Sequence, residues 1–161
     1  MTSWSGCGKG GVIRARFAKT SIPDNTATTI FTISTTDESG DNDLGNYACK
    51  VHALVTNHPG SSRSYQAAKS FLAHFAHVNN KNGSPATSAV TEVSETAQAN
   101  TGGYRQIGTV TMTAVENGKY EVQVKFTIDC TGSAGSRDAG VVCLVELAWE
   151  GYLTAPTLSV A

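Results

Sequence analysis

The sequence predicts an all-β fold, an antiparallel β-sandwich of the jelly-roll kind, and three observations carry that expectation. "KYEVQVKFTID" alternates Tyr120, Val122, Val124, Phe126 and Ile128 with Glu121, Gln123, Lys125, Thr127 and Asp129. Period two over that length is a strand with one dry face and one wet one. "IGTVTMTAV" alternates just before it, and "ENG" joins the two, with Asn117-Gly118 as a hairpin signal. Third, charged residues make up only 16% of the chain, while Thr, Ser, Ala, Val and Gly dominate. Such a mixture favours strands and turns over helices.

The remaining elements follow in chain order. "GVIRARFA" reads as a short strand, with Ile13 and Phe17 turned only in part from Arg14 and Arg16, and "TATTIFTIST" is richly β-branched. "NYACKVHALVTN" sets Tyr47, Cys49, Val51, Ala53 and Val55 against Lys50, His52 and Thr56. "YQAAKSFLAHFAHV" fits two templates: a helical stripe of Ala68, Phe71, Leu72, Phe75 and Val78, or a strand covered on both faces. Its neighbours are all β, so the strand is the consistent choice. "SAVTEVSE" is a weaker strand. "GVVCLVELAWEGYL" is apolar on both faces and reads as a central strand or one buried at a subunit contact. Seven to nine strands result, joined by polar links such as "NHPGSSRS" and "TGSAGSRDAG". Residues 1–11 form an arm, 12–153 the sandwich domain and 154–161 an extended tail.

At 161 residues the chain is one domain's worth. A formal net charge of −1 gives no electrostatic case for nucleic acid or an anionic membrane. No apolar run suits a bilayer span or a signal peptide, so synthesis and assembly inside a cell are expected. The four cysteines, Cys7, Cys49, Cys130 and Cys143, match no zinc pattern or disulfide framework. Cys49 and Cys143 read as small buried hydrophobes, with a Cys130–Cys143 bridge as the lesser alternative.

Each candidate site has a plainer reading beside it. "TTDESGDND" carries Asp37, Glu38, Asp41 and Asp43, but Ser39 and Asn42 fall where a calcium loop needs an acid and a glycine. The residues also suit a solvated bend, which is the preferred reading. His74 and His77 have helical zinc spacing, but on a strand they point to opposite faces, as do Cys49 and His52. "GCGKGG" lacks the form of a phosphate loop, because Lys9 precedes Gly10 and no strand leads into it. Glu146 and Glu150 share one strand face, and Glu146 interrupts an apolar run without a catalytic companion. Trp149, Tyr152, Trp4 and Tyr104 form either a sugar-stacking platform or core and contact pieces. The expectation is a chain without enzyme activity, metal or cofactor. Its doubly apolar rows instead point to a subunit interface containing Val142, Leu144, Trp149, Phe71 and Phe75, to which the N-terminal arm adds Trp4.

At "IPDNTATTIFTIST" and "GTVTMTAVENGKYEVQVKFTIDCTG" the chain resembles small β-sandwich virion proteins of tailed bacteriophages, including capsid decoration and tail-fibre tip modules. More distantly it resembles the trimeric jelly rolls of tumour-necrosis-factor type. The resemblance implies a virion structural part, assembled in the host cytoplasm as a homo-oligomer, most readily a homotrimer, beside other virion proteins. The alternative it leaves is a module that recognises host surface glycan.

Overall fold

The computed structural model describes residues 10–35, 45–57, 67–79, 85–96, 99–100, 106–130, 138–151 and 154–161. The expectations placed on Trp4, Cys7, the acidic stretch 37–43, Tyr104 and Tyr152 lie outside those residues. Eleven strands run along the described chain: β1 (Gly10–Ile22), β2 (Thr28–Ser34), β3 (Gly45–Asn57), β4 (Ala67–Asn79), β5 (Ala86–Thr87), β6 (Thr91–Glu95), β7 (Ala99–Asn100), β8 (Val110–Glu116), β9 (Glu121–Ile128), β10 (Ala139–Glu150) and β11 (Thr157–Val160). There is no helix among them, so the ambiguous 67–79 stretch is a strand.

Two antiparallel sheets pack face to face. The large one has the order β1-β10-β3-β4, with β5, β6 and β7 as short pieces along the outer edge of β4. The small one has the order β11-β2-β9-β8. Strand β10 lies between β1 and β3, and β9 lies beside β2, so late strands insert among early ones as Greek keys require. The β3–β4 hairpin stays inside one sheet, where a strict eight-stranded jelly roll would cross to the other. Residues 154–161, expected as a tail, contribute β11 to the small sheet, where Leu158 pairs with Ile33.

Alternation decides what faces the interior. On β3 the residues Tyr47, Cys49, Val51, Ala53 and Val55 are buried, and on β9 the same holds for Val122, Val124, Phe126 and Ile128. Rings then tie the two sheets together. Phe17 of β1 stacks on Phe31 of β2 at 4.8 Å between centroids, and Phe71 of β4 meets Phe126 of β9 edge-on at 5.8 Å. Each ring removed from water stabilises by roughly 1.5–3 kcal/mol. In β2 both Ile30 and Phe31 are buried, which strict alternation forbids; the register shift between Thr29 and Phe31 makes it possible.

Two turns are built by side chains. In "IPDNTAT" the Asp24 carboxylate accepts from the Cys130 backbone N–H at 2.7 Å. Asn25 adopts φ 51°, a left-handed conformation that asparagine tolerates better than most, and its N–H donates to Ile128 O. The β8–β9 hairpin is present, but its link is four residues, 117–120, rather than a two-residue turn. Gly118 alone in it has positive φ, at 80°, whereas a type I′ turn needs two such residues. Asn117 closes the link instead, donating from its backbone and its side chain to Glu121.

Candidate functional site

The apolar rows assigned to a subunit contact separate in the fold. Phe71 and Phe75 are 1% and 2% exposed. Both project into the core between the sheets, so they serve this chain's own packing and are not offered at a surface. The sequence shows two apolar rows on β4 but not which of them meets the second sheet. Val142, Leu144 and Trp149 are at least partly exposed; Val142 and Leu144 lie on the outer face of the large sheet, where Leu144 is 56% exposed.

That outer face is the candidate site, and the strand register lays it out in rows. One row runs Arg16, Leu144, His52, Leu72 and Ser94 across β1, β10, β3, β4 and β6. The next runs Arg14, Glu146, Lys50, His74 and Thr91, and beyond it lie Val12, Ala148, Ala48 and Ala76. Leucines, then charges, then small residues thus cross the sheet in parallel bands. Leu54 and Val12, 49% and 57% exposed, extend the apolar part.

Three concavities open on this face. One of about 540 Å³ is lined by Arg14, Arg16, Lys50, His52, Ser70, Leu72, Ser94, Leu144 and Glu146, with Ala15 and Val145 beneath. A second, about 620 Å³, lies over the alanine band and reaches His74 and Glu146. The third, about 330 Å³, sits at the strand ends against Asn46, Val78, Trp149 and Glu150. The first falls in the size range of ligand pockets and mixes apolar floor with polar walls.

Its electrostatics come from three cations against one carboxylate. Arg14 Nε donates to Glu146 Oε2 at 2.8 Å, with both side chains well exposed, so the pair positions Arg14 and adds little stability. Glu146, which interrupts the apolar run of β10, is therefore an exposed partner of arginine. His52 Nε2 and Ser70 Oγ are 2.9 Å apart. Arg16 and Lys50 have no ion-pair partner among the described residues. The sequence reading missed Arg14, Arg16 and Lys50 as a group, because only the register brings β1 and β3 to either side of β10.

The metal candidates do not converge. His77 is buried and His74 faces outward; Cys49 is buried while His52 faces out. Among the described residues no three of His, Cys, Asp and Glu gather where they could hold an ion. His77 stacks on Tyr47 at 4.7 Å and its Nδ1 lies 2.9 Å from Thr87 Oγ1. Burial lowers its pKa, opposed in part by the Glu116 charge. Cys49, Cys130 and Cys143 are unbridged thiols. Burial pushes Cys49 and Cys143 up to about 12 and Cys130 to about 11, so none is primed as a nucleophile.

No family model matches the chain, and no curated protein does. Among solved structures it is similar to the tailspike protein of Acinetobacter baumannii phage AM24, with a TM-score of 0.54 and 10% identity. The superposition covers 91% of this chain and 28% of the tailspike chain, so the chain spans under a third of that protein's length. The likeness is one of fold.

Proposed function

We propose that the chain is a non-enzymatic structural protein of a tailed bacteriophage, a homo-oligomeric sandwich in a tail, fibre or spike. The observation that carries this reading is the fold likeness to part of a phage tailspike over nearly the whole chain. The sequence resemblance to phage sandwich modules points the same way. The fold likeness favours a tail position over capsid decoration, since the similar fold belongs to a tailspike protein. The outer face of the large sheet supports an assembly role, because leucines and cations share an open face without aromatic stacking platforms in the main groove. Immunogold labelling of purified virions with antibody raised against the chain tests the placement: label on tails is expected, and unlabelled particles would refute it. Light scattering on the pure protein tests oligomerisation, with a stable monomer at micromolar concentration as the refuting result.

A second reading, a glycan-binding module, has one observation in its favour. Trp149, half-buried, shares the strand-end concavity with Asn46 and Glu150, an indole beside hydrogen-bonding groups.

A further inference from the structure

Seven large hydrophobic side chains are exposed among the described residues, and four of them, Val12, Leu54, Val78 and Leu144, stand on the outer face of the large sheet. Apolar side chains gathered on one face and set among charges mark an interaction surface. The four long strands of that face, β1, β10, β3 and β4, run twelve or thirteen residues each. At about 4.8 Å between strands and about 3.4 Å per residue they span roughly 19 by 41 Å, close to the area of about 800 Å² that each partner gives to a standard interface.

The charge pattern selects the occupant. Across one row the register sets Arg14, Glu146, Lys50 and His74 on successive strands. Glu146 stands between the two cations and pairs with Arg14; Lys50, directly opposite it on the other side, has no ion pair among the described residues. The two central strands of the face thus carry a carboxylate and an ammonium at the same level. Such a face is its own complement. Turned over about an axis that runs along the strands midway between β10 and β3, a second copy sets its Lys50 over Glu146 and its Glu146 over Lys50. The same rotation lays Val142 against Leu54, Leu144 against His52 and Val12 against Ala76 of the other copy.

Other two-fold axes lose this match. An axis over β10 sets Glu146 on Glu146 and Arg14 on Lys50. An axis across the strands along the charged row sets each charge on its own copy. An axis between β1 and β10 opposes Arg14 and Glu146, but it overlaps only two strands of each sheet and leaves Leu54 and Val78 in water. Like charges placed face to face cost several kcal/mol, so electrostatics and overlap choose the same operator.

We propose that the outer face of the large sheet packs on the same face of a second copy of the chain, about a two-fold axis running along the strands between β10 and β3. This contact rests on the homo-oligomeric reading above. It is isologous, and it stacks the two sheets in the aligned manner usual for faces of this kind.

The test is complementation between two single variants of the full-length chain, read as mass by light scattering and as folding by circular dichroism. Lys50→Glu alone opposes carboxylates at both contacts, and Glu146→Lys alone opposes ammonium groups. Each should fold and show half the wild-type mass or less. Mixed in equal amounts they restore unlike charges at both contacts and should recover the wild-type mass, which no effect within one chain can produce. Should either fail to fold, Leu54→Asp carries the test: the position is exposed in its own chain, but the charge would be buried against Val142 of the other copy, and the mass should fall in the same way. Wild-type mass retained by any of these folded variants overturns the contact, as does a folded mixture that stays at the reduced mass. An odd number of subunits in the wild type would also overturn it while leaving the homo-oligomeric reading in place. A monomeric wild type would sink both.

Discussion

Val124 and Gln123 are neighbours on β9 with opposite surroundings. Val124 is 0% exposed and lies between Phe31 and Ala114 in the adjoining strands, whereas Gln123 is half-buried and touches Glu121. Val124→Asp would bury a charge without a partner and should cost about 4 kcal/mol or more, enough to unfold a typical domain. Gln123→Asp should cost about 1 kcal/mol or less. Urea titration of both variants checks the pair, and equal losses would contradict the assigned faces. His77 supplies a pH signature. Its pKa is lowered in the fold, so the unfolded chain binds the proton more readily, and stability is lost as pH falls through the ordinary histidine value near 6.5. Melting temperature should drop between about pH 7.5 and 5.5, and His77→Phe, which keeps a ring against Tyr47, should flatten that slope. Residue roles of this kind were only half legible: alternation marks Val124 as inward, but nothing in "FAHV" marks His77 as the buried histidine and His74 as the exposed one.

At the scale of elements, period-two runs translated directly into strands. The hairpin β8–β9 was legible as a pair, though its link was not, because Asn117 uses its side chain to close four residues. Gly118 sits at φ 80° with nothing within 4 Å of an added Cβ, so Gly118→Ala should cost about 1 kcal/mol through backbone strain alone. A denaturant midpoint lowered without a change in slope would show it. "KSFLAHFAHV" illustrates the limit of local pattern. Both of its faces are largely apolar, so periodicity names the strand without telling which row is core; Phe71 and Phe75, expected at a subunit contact, are buried within the chain. Strand β1 shows the complementary case: read as a short strand, it runs thirteen residues because β10 supplies a ladder from Gly10 to Ile22 that no local signal announces.

For the molecule as a whole, composition and alternation were enough to define a sandwich, but strand order depends on partners far apart in sequence. The candidate site has the same origin, since Arg16, Lys50 and Leu144 meet only after β10 has entered between β1 and β3. That insertion has a consequence for how the chain is made. During synthesis β1 and β3 emerge well before the strand that joins them, so a ribosome-bound chain ending short of residue 139 holds two strands with open inner edges. Non-local pairing of this kind slows folding, and the waiting edges are templates for the wrong neighbour. The centre of the large sheet is therefore the last part of it to be delivered, and prematurely terminated chains should collect in inclusion bodies while completed ones fold.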